Sequence, residues 1–147
     1  MRKNWRADLE MIFQICWKRQ FPALSSGTTQ KTRSGTMYKQ RDLVLVPFPF
    51  SDLRETKRRP VLVLSNDEYN ERSEDVVVAA ITSNLEKKKF AIPIENGDME
   101  GGSLPLVSQV RADKIYSISK DMVIKRFGRL SLNRYKKVVE KIMELVS

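Results

Sequence analysis

KRRPVLVLSNDEYNERSEDVVVAAITS, residues Lys57 to Ser83, holds two dense runs of Val, Leu, Ile and Ala separated by a polar, acidic segment. Each run has strand length and the β-branched content that suits a pleated surface, so strands are predicted over Pro60–Asn66 and Asp75–Ser83. The same grammar extends outward, upstream to a strand over Asp42–Phe48 and downstream to strands over Phe90–Glu95, Leu104–Arg111 and Lys114–Ser117. Short apolar runs broken by turn residues every ten or so positions are the mark of a small barrel or sandwich. Pro47 and Pro49 cannot donate ladder hydrogen bonds, which places the PFPF segment at a strand end or an unpaired edge that runs into a loop, Ser51 to Arg59.

Downstream, Ser119 is positioned to cap a short helix over Lys120–Ile124, and Ser131 to cap a longer one. Leu132, Tyr135, Val138, Val139, Ile142 and Leu145 recur at spacings of three and four, while Arg134, Lys136, Lys137, Lys141 and Glu144 fill the other face. A terminal helix packing onto the sheet is therefore expected, and the fold class is mainly β with a C-terminal helix (α+β).

Upstream of Met37 the composition changes. An amphipathic helix is expected over Ala7–Gln20 and a flexible linker over Ser25–Thr36. Residues 1–36 thus read as an N-terminal extension, either a real arm or an upstream start with Met37 as the true beginning, and 37–147 as the single folded domain. The basic start Met1-Arg2-Lys3 runs into Asp8 and Glu10 instead of a clean apolar block, so it does not read as a secretory signal. No stretch reaches the roughly 18 apolar residues of a membrane span. A cytoplasmic protein without membrane contact is expected.

With no histidine and a single cysteine, Cys16, the chain lacks the means for an internal disulfide, a Cys/His zinc site or a histidine-based nucleophile system. No calcium-loop pattern and no Gly-rich strand-to-helix loop is present, so neither metal nor cofactor is expected. The net charge of +9 points to a polyanionic partner or to plain solubility, and residues 1–36 supply +5 of it through seven basic and two acidic side chains.

Three runs carry candidate chemistry. Lys57-Arg58-Arg59 before Pro60 reads as a phosphate clamp, since guanidinium forks match phosphate oxygens, or as a solvated charge run. Thr82-Ser83-Asn84 ends an apolar strand in small hydrogen-bonding residues, a common place for a site and equally for ordinary turn chemistry. Lys87-Lys88-Lys89 reads as a solvated hairpin face or a groove that tracks a nucleic-acid backbone. Arg111 and Asp113, two apart on a strand, share a face and either brace one another or leave Arg111 for a ligand.

Read in order, Lys39–Val46, Lys57–Ser65, Val76–Ser83, Gln109–Ile115 and Ile124–Ser131 resemble the successive blocks of the MazF/PemK toxins of bacterial toxin-antitoxin pairs. The resemblance covers essentially all of Met37–Ser147. It implies an SH3-like barrel with a C-terminal helix, a homodimer, and metal-independent cleavage of single-stranded RNA at a short sequence, neutralised by a cognate antitoxin. It also implies catalytic roles for Arg59 and Thr82. Lys57, Arg58, Ser83, Asn84, Lys87 and Arg111 are then the expected RNA-binding residues. The alternatives are a toxin of the same fold that grips a protein such as gyrase, or a small nucleic-acid-binding barrel outside the family. The chain departs from the family in having Arg41 where glycine is usual, no glycine in the first loop, and the PFPF segment.

Overall fold

A computed structural model describes residues 37–49 and 56–147. The expected helix and linker before Met37, and the body of the first loop, lie outside the described residues. Seven strands form one antiparallel sheet: β1 (Asp42–Pro49), β2 (Thr56–Val63), β3 (Asp75–Thr82), β4 (Ala91–Ile94), β5 (Met99–Gly102), β6 (Ser108–Ser119) and β7 (Lys125–Leu130), in the order β4-β6-β3-β2-β1-β7-β5. A short helix α1 (Asp67–Arg72) joins β2 to β3, and the terminal helix α2 (Leu132–Val146) closes the chain. This is the expected mainly-β class with a C-terminal helix, built as a sheet curled into a half-barrel.

Period-two alternation sorts the strand residues onto two faces, and both are apolar. Leu43, Leu45, Leu62, Ala79, Ile81, Val110 and Ala112 build one core cluster, against which α2 sets Tyr135 and Val138. Val44, Val46, Val61, Val63, Val76 and Val78 build the second, closed by Tyr38 and Val123. Each fully buried Leu, Ile or Val contributes roughly 1.5–3 kcal/mol, so the two clusters supply most of the drive for curling the sheet.

Several expectations need correction. β2 begins at Thr56, so Arg58 and Arg59 do not belong to a loop before the strand; they pair with Pro47 and Val46 of β1. The PFPF prolines sit where β1 has lost its β7 neighbour, because that pairing ends at Leu45, and so they lie on a half-edge as proline requires. Leu104–Arg111 and Lys114–Ser117 are not separate strands: β6 runs unbroken through a bulge opposite Ala79/Ala80. The helix after Ser119 is only one 3-10 turn, Lys120–Met122, with Ser119 Oγ accepting from the Asp121 amide at 3.3 Å. On α2, Val139 and Ile142 pack on the core as expected, but Leu132 and Leu145 at its two ends remain 50% and 39% exposed.

Arg41 has φ 76°, in the left-handed region that costs a side-chain-bearing residue about 1 kcal/mol. The conformation is held from three sides. Its amide donates to Val63 O at 3.0 Å, its carbonyl accepts from the Leu130 amide at 2.9 Å, and its Nη1 donates to Leu130 O at 3.0 Å and to Glu100 at 2.6 Å. Those side-chain contacts are what an arginine offers in place of glycine at this turn.

Candidate functional site

The ladder registers gather the candidates. Val46 pairs with Arg59 across β1–β2, and Thr82 pairs with Gln109 across β3–β6. Between β2 and β3 the pairs run from Val63 with Val78 to Val61 with Ala80, where the ladder ends; Arg59 lies two residues beyond the last pair on β2 and Thr82 two residues beyond it on β3, at the same end of both strands. Directly opposite residues of an antiparallel pair share a face with Cβ atoms about 4.5–5.5 Å apart. Thr82 and Gln109 therefore form one row across β3 and β6, and by alternation Arg59 on β2 falls on the same face, the one that carries Val44, Val46, Val61 and Val63 further in. Arg111, paired with Ala80, lies one row inward on the same face.

The same alternation separates the other candidates. Arg58, opposite Pro47, projects to the opposite face, and Ser83 lies just past the end of β3. The backbone of Lys57 pairs with Phe48, and its side chain lies outside the described residues. Lys87 stands exposed on the loop between β3 and β4, whereas Lys88 lies 3.9 Å from Glu86 and Lys89 is 3.6 Å from Glu144 and sits over the Phe90 ring. Of the three lysines, the last two are thus engaged within the fold.

Turn chemistry after β3 is present as well, and it serves the site. Thr82 Oγ1 accepts from the Asn84 amide at 3.1 Å, and Asn84 Oδ1 accepts from the Glu86 amide at 3.0 Å. The half-buried Thr82 hydroxyl is thereby oriented by an incoming donor, which leaves its own hydrogen for a donor role. Gln109, only 4% exposed, donates its amide hydrogens to Asn84 O at 2.7 Å and Glu86 O at 3.0 Å. Reasoning from sequence assigns no role to Gln109, because in Ser108-Gln109-Val110-Arg111-Ala112 it reads as one more polar position of an alternating strand.

Arg111 and Asp113 brace one another in a two-point pair, Nε to Oδ1 at 2.8 Å and Nη2 to Oδ2 at 2.6 Å. The hydrogen bond from Arg111 holds the Asp113 carboxyl below the usual aspartate range, and the same bond raises Arg111 in turn. Bracing fixes the guanidinium plane, and part of each group stays exposed.

A cavity of about 430 Å³ lies at the far side of the sheet, between β5 and β7, lined by Glu100, Gly101, Gly102, Arg126, Phe127, Gly128 and Arg129. Its two arginines are committed to the fully buried Asp42, Arg129 at 3.1 Å and Arg126 at 3.7 Å, so this cluster locks β7 to β1. Among the described residues no group of three or more Cys, His, Asp or Glu could hold a metal ion, and no helix is long and apolar enough to cross a membrane.

No curated protein matches the sequence. Solved structures do resemble the fold. A MazE-MazF complex from Deinococcus radiodurans superposes with a TM-score of 0.63 at 20% identity, covering 76% of this chain and 97% of that one. An endoribonuclease in complex with its cognate antitoxin from a mycobacterial species gives 0.62 at 18%, covering 74% and 94%. The Mycobacterium tuberculosis toxin MazF-mt6 gives 0.60 at 22%, covering 72% and 96%. At these identities the structures speak for the fold alone. Residues 39–146 match the model of the PemK-like, MazF-like toxin of type II toxin-antitoxin systems, and since that span is most of the chain, the chain belongs to this toxin family.

Proposed function

We propose that this toxin is an endoribonuclease that cuts single-stranded RNA at a short sequence, without a metal ion, and that Arg59 and Thr82 are its catalytic residues. The observation that carries the reading is that Arg59 and Thr82 lie on one face of adjacent strands, each two residues beyond the last β2–β3 pair, with Arg111 one row behind Thr82. RNA supplies its own nucleophile, the ribose 2′-OH, so the protein has only to align it and to stabilise charge that builds on the phosphorus oxygens. The O2′–P bond forms as the P–O5′ bond breaks, one proton leaves O2′ and one arrives at O5′. The products are a 2′,3′-cyclic phosphate and a 5′-hydroxyl.

In this reading the Arg59 guanidinium binds the scissile phosphate through its planar fork and compensates the growing negative charge. Its high pKa suits it to that role far better than to proton abstraction. The oriented Thr82 hydroxyl donates to a second phosphate oxygen. Lys57, Arg58, Ser83, Asn84, Lys87 and Arg111 contribute the RNA contacts, those on the active face near the cut and the rest along the flanking strand. We further propose a homodimer and an acidic antitoxin laid over the same basic rim, since one patch of positive potential serves both polyanions.

The test is an oligonucleotide carrying deoxyribose only at the cut position. It should resist cleavage while the all-ribose version is cut, and cleavage of the deoxy version would remove the 2′-OH mechanism. A folded protein that leaves every RNA intact yet stops growth would favour the toxin that grips a protein target.

A further inference from the structure

We infer that Gln109 is a positioning residue that sets the active loop, orienting Thr82 through Asn84 and thereby governing which sequences are cut; this rests on the endoribonuclease reading above. Gln109 sits beside Thr82 in the β3–β6 ladder, and its side chain is buried at 4% exposure outside both apolar core clusters. A buried primary amide is retained at a cost unless its hydrogens are used, and here both are spent on one target, the loop that follows Thr82. One reaches Asn84 O at 2.7 Å and the other Glu86 O at 3.0 Å.

The Asn84 carbonyl that Gln109 holds belongs to the same residue whose amide donates to Thr82 Oγ1. Tension runs along one chain of contacts, from the sheet floor through Asn84 to the Thr82 hydroxyl. The second hydrogen bond clamps Glu86, whose amide is in turn tied to Asn84 Oδ1, so residues 84–86 are closed into a rigid turn. Ser83, Asn84 and Lys87 ride on that turn. Their placement relative to Thr82 decides which nucleotides beside the cut can be contacted, and a loosened turn accepts more of them.

Without the Gln109 donors, the carbonyls of Asn84 and Glu86 can turn to water, because the loop lies at the surface. Loss of Gln109 therefore loosens the loop without unfolding the sheet. A role limited to stability would lower melting temperature and activity together and leave cut-site choice alone. A positioning role moves kcat and the pattern of cut sites instead.

The experiment compares the full chain with Gln109→Glu, a near-isostere that repels both carbonyls, and Gln109→Asn, which keeps the donors on a shorter arm. Each is assayed on a long single-stranded RNA, with every product end mapped, and by amide hydrogen exchange of the protein alone. The expected result for Gln109→Glu is exchange about tenfold faster at Asn84 and Glu86, the scale of one lost net hydrogen bond. With it should come a fall in kcat of at least about tenfold, KM within about twofold, and cuts at sequences that the parent ignores. Gln109→Asn should fall between. Unchanged loop exchange, or an unchanged cut pattern in a folded variant, overturns the proposal. Should Gln109→Glu not fold, the exchange and cut pattern of Gln109→Asn decide the same question. If the parent chain cuts no RNA, the nuclease reading falls, and loop exchange still shows whether Gln109 holds the turn.

Discussion

Arg59 and Thr82 reach one face of the sheet by different routes, one from the middle of β2 and the other from the end of β3, and neither is recognisable alone. Lys57-Arg58-Arg59 reads as any charge run until the β1–β2 register sorts Arg59 and Arg58 onto opposite faces. What sequence could not supply was the register, because the first loop hides where β2 begins. Arg111 shows the converse, since its two-residue spacing from Asp113 leaves a brace and a ligand contact as alternatives, and the structure contains the brace. That pair sets a pH prediction. A carboxyl held below its usual value adds stability above the ordinary aspartate pKa of about 3.9 and loses it as pH falls through the depressed value, while Arg111 stays charged throughout. Urea denaturation should therefore show Asp113→Asn less stable than the parent by about 1 kcal/mol from pH 5 to 7, with the gap closing below pH 4. A constant gap down to pH 2 would mean that the brace adds nothing to folding. At Arg41, alanine keeps the left-handed strain and loses the contacts to Leu130 and Glu100, whereas glycine loses the contacts and the strain together. Arg41→Gly should then be about 1 kcal/mol more stable than Arg41→Ala in the same denaturation series.

Elements with strong alternation were legible, and those without it were not. The Val, Leu and Ile runs of β1, β2 and β3 each feed both core clusters, and the alternation that builds them is visible in the residues. β5, Met-Glu-Gly-Gly, offers no apolar pattern and exists as a strand only because β7 lies beside it. At Gly102, φ is +77° and an added Cβ would meet Phe127 O at 2.0 Å, so glycine here marks a close approach and not a break. α1 was missed because Asp67–Arg72 is polar throughout. Its signals were the Asn66 cap, which accepts from the Tyr69 amide at 2.8 Å, and the buried Asn70, which donates to Tyr38 O and Ser65 O. The joint between β1 and β7 rests on Asp42, fully buried between Arg129, Arg126 and the Lys39 amide at 2.8 Å. Removing Asp42 leaves the part-buried Lys39 amide without its acceptor, whereas Arg129 and Arg126, 25% and 49% exposed, can turn to water. Asp42→Ala should cost about 1–3 kcal/mol by thermal or urea unfolding, the scale of a stranded hydrogen-bond donor, and no measurable loss would show that the joint does not rest on Asp42.

For the molecule as a whole, charge and core place function and stability in the same segment. Both core clusters draw their described members from residues 38–142, so a chain starting at Met37 is expected to unfold at the same temperature and to keep its activity. A lower melting point would reveal packing by residues 1–36. The span from Met37 carries +4 of the net +9, enough for a basic rim at the site and too little to act by charge alone. Lys87, exposed on the loop between β3 and β4, should account for a decrement of about 0.7 in the slope of log affinity against log salt when replaced by alanine, measured on an uncleavable RNA. The central claim is that Arg59 and Thr82 form a ribonuclease site that needs no metal. Its most direct test is cleavage of a long single-stranded RNA by the purified chain in excess chelator, alongside Arg59→Ala and Thr82→Ala. The parent should make discrete cuts ending in 2′,3′-cyclic phosphates, with rates down by at least about a hundredfold in each folded variant. Undiminished cutting by either variant, or intact RNA with a folded parent, would contradict the account.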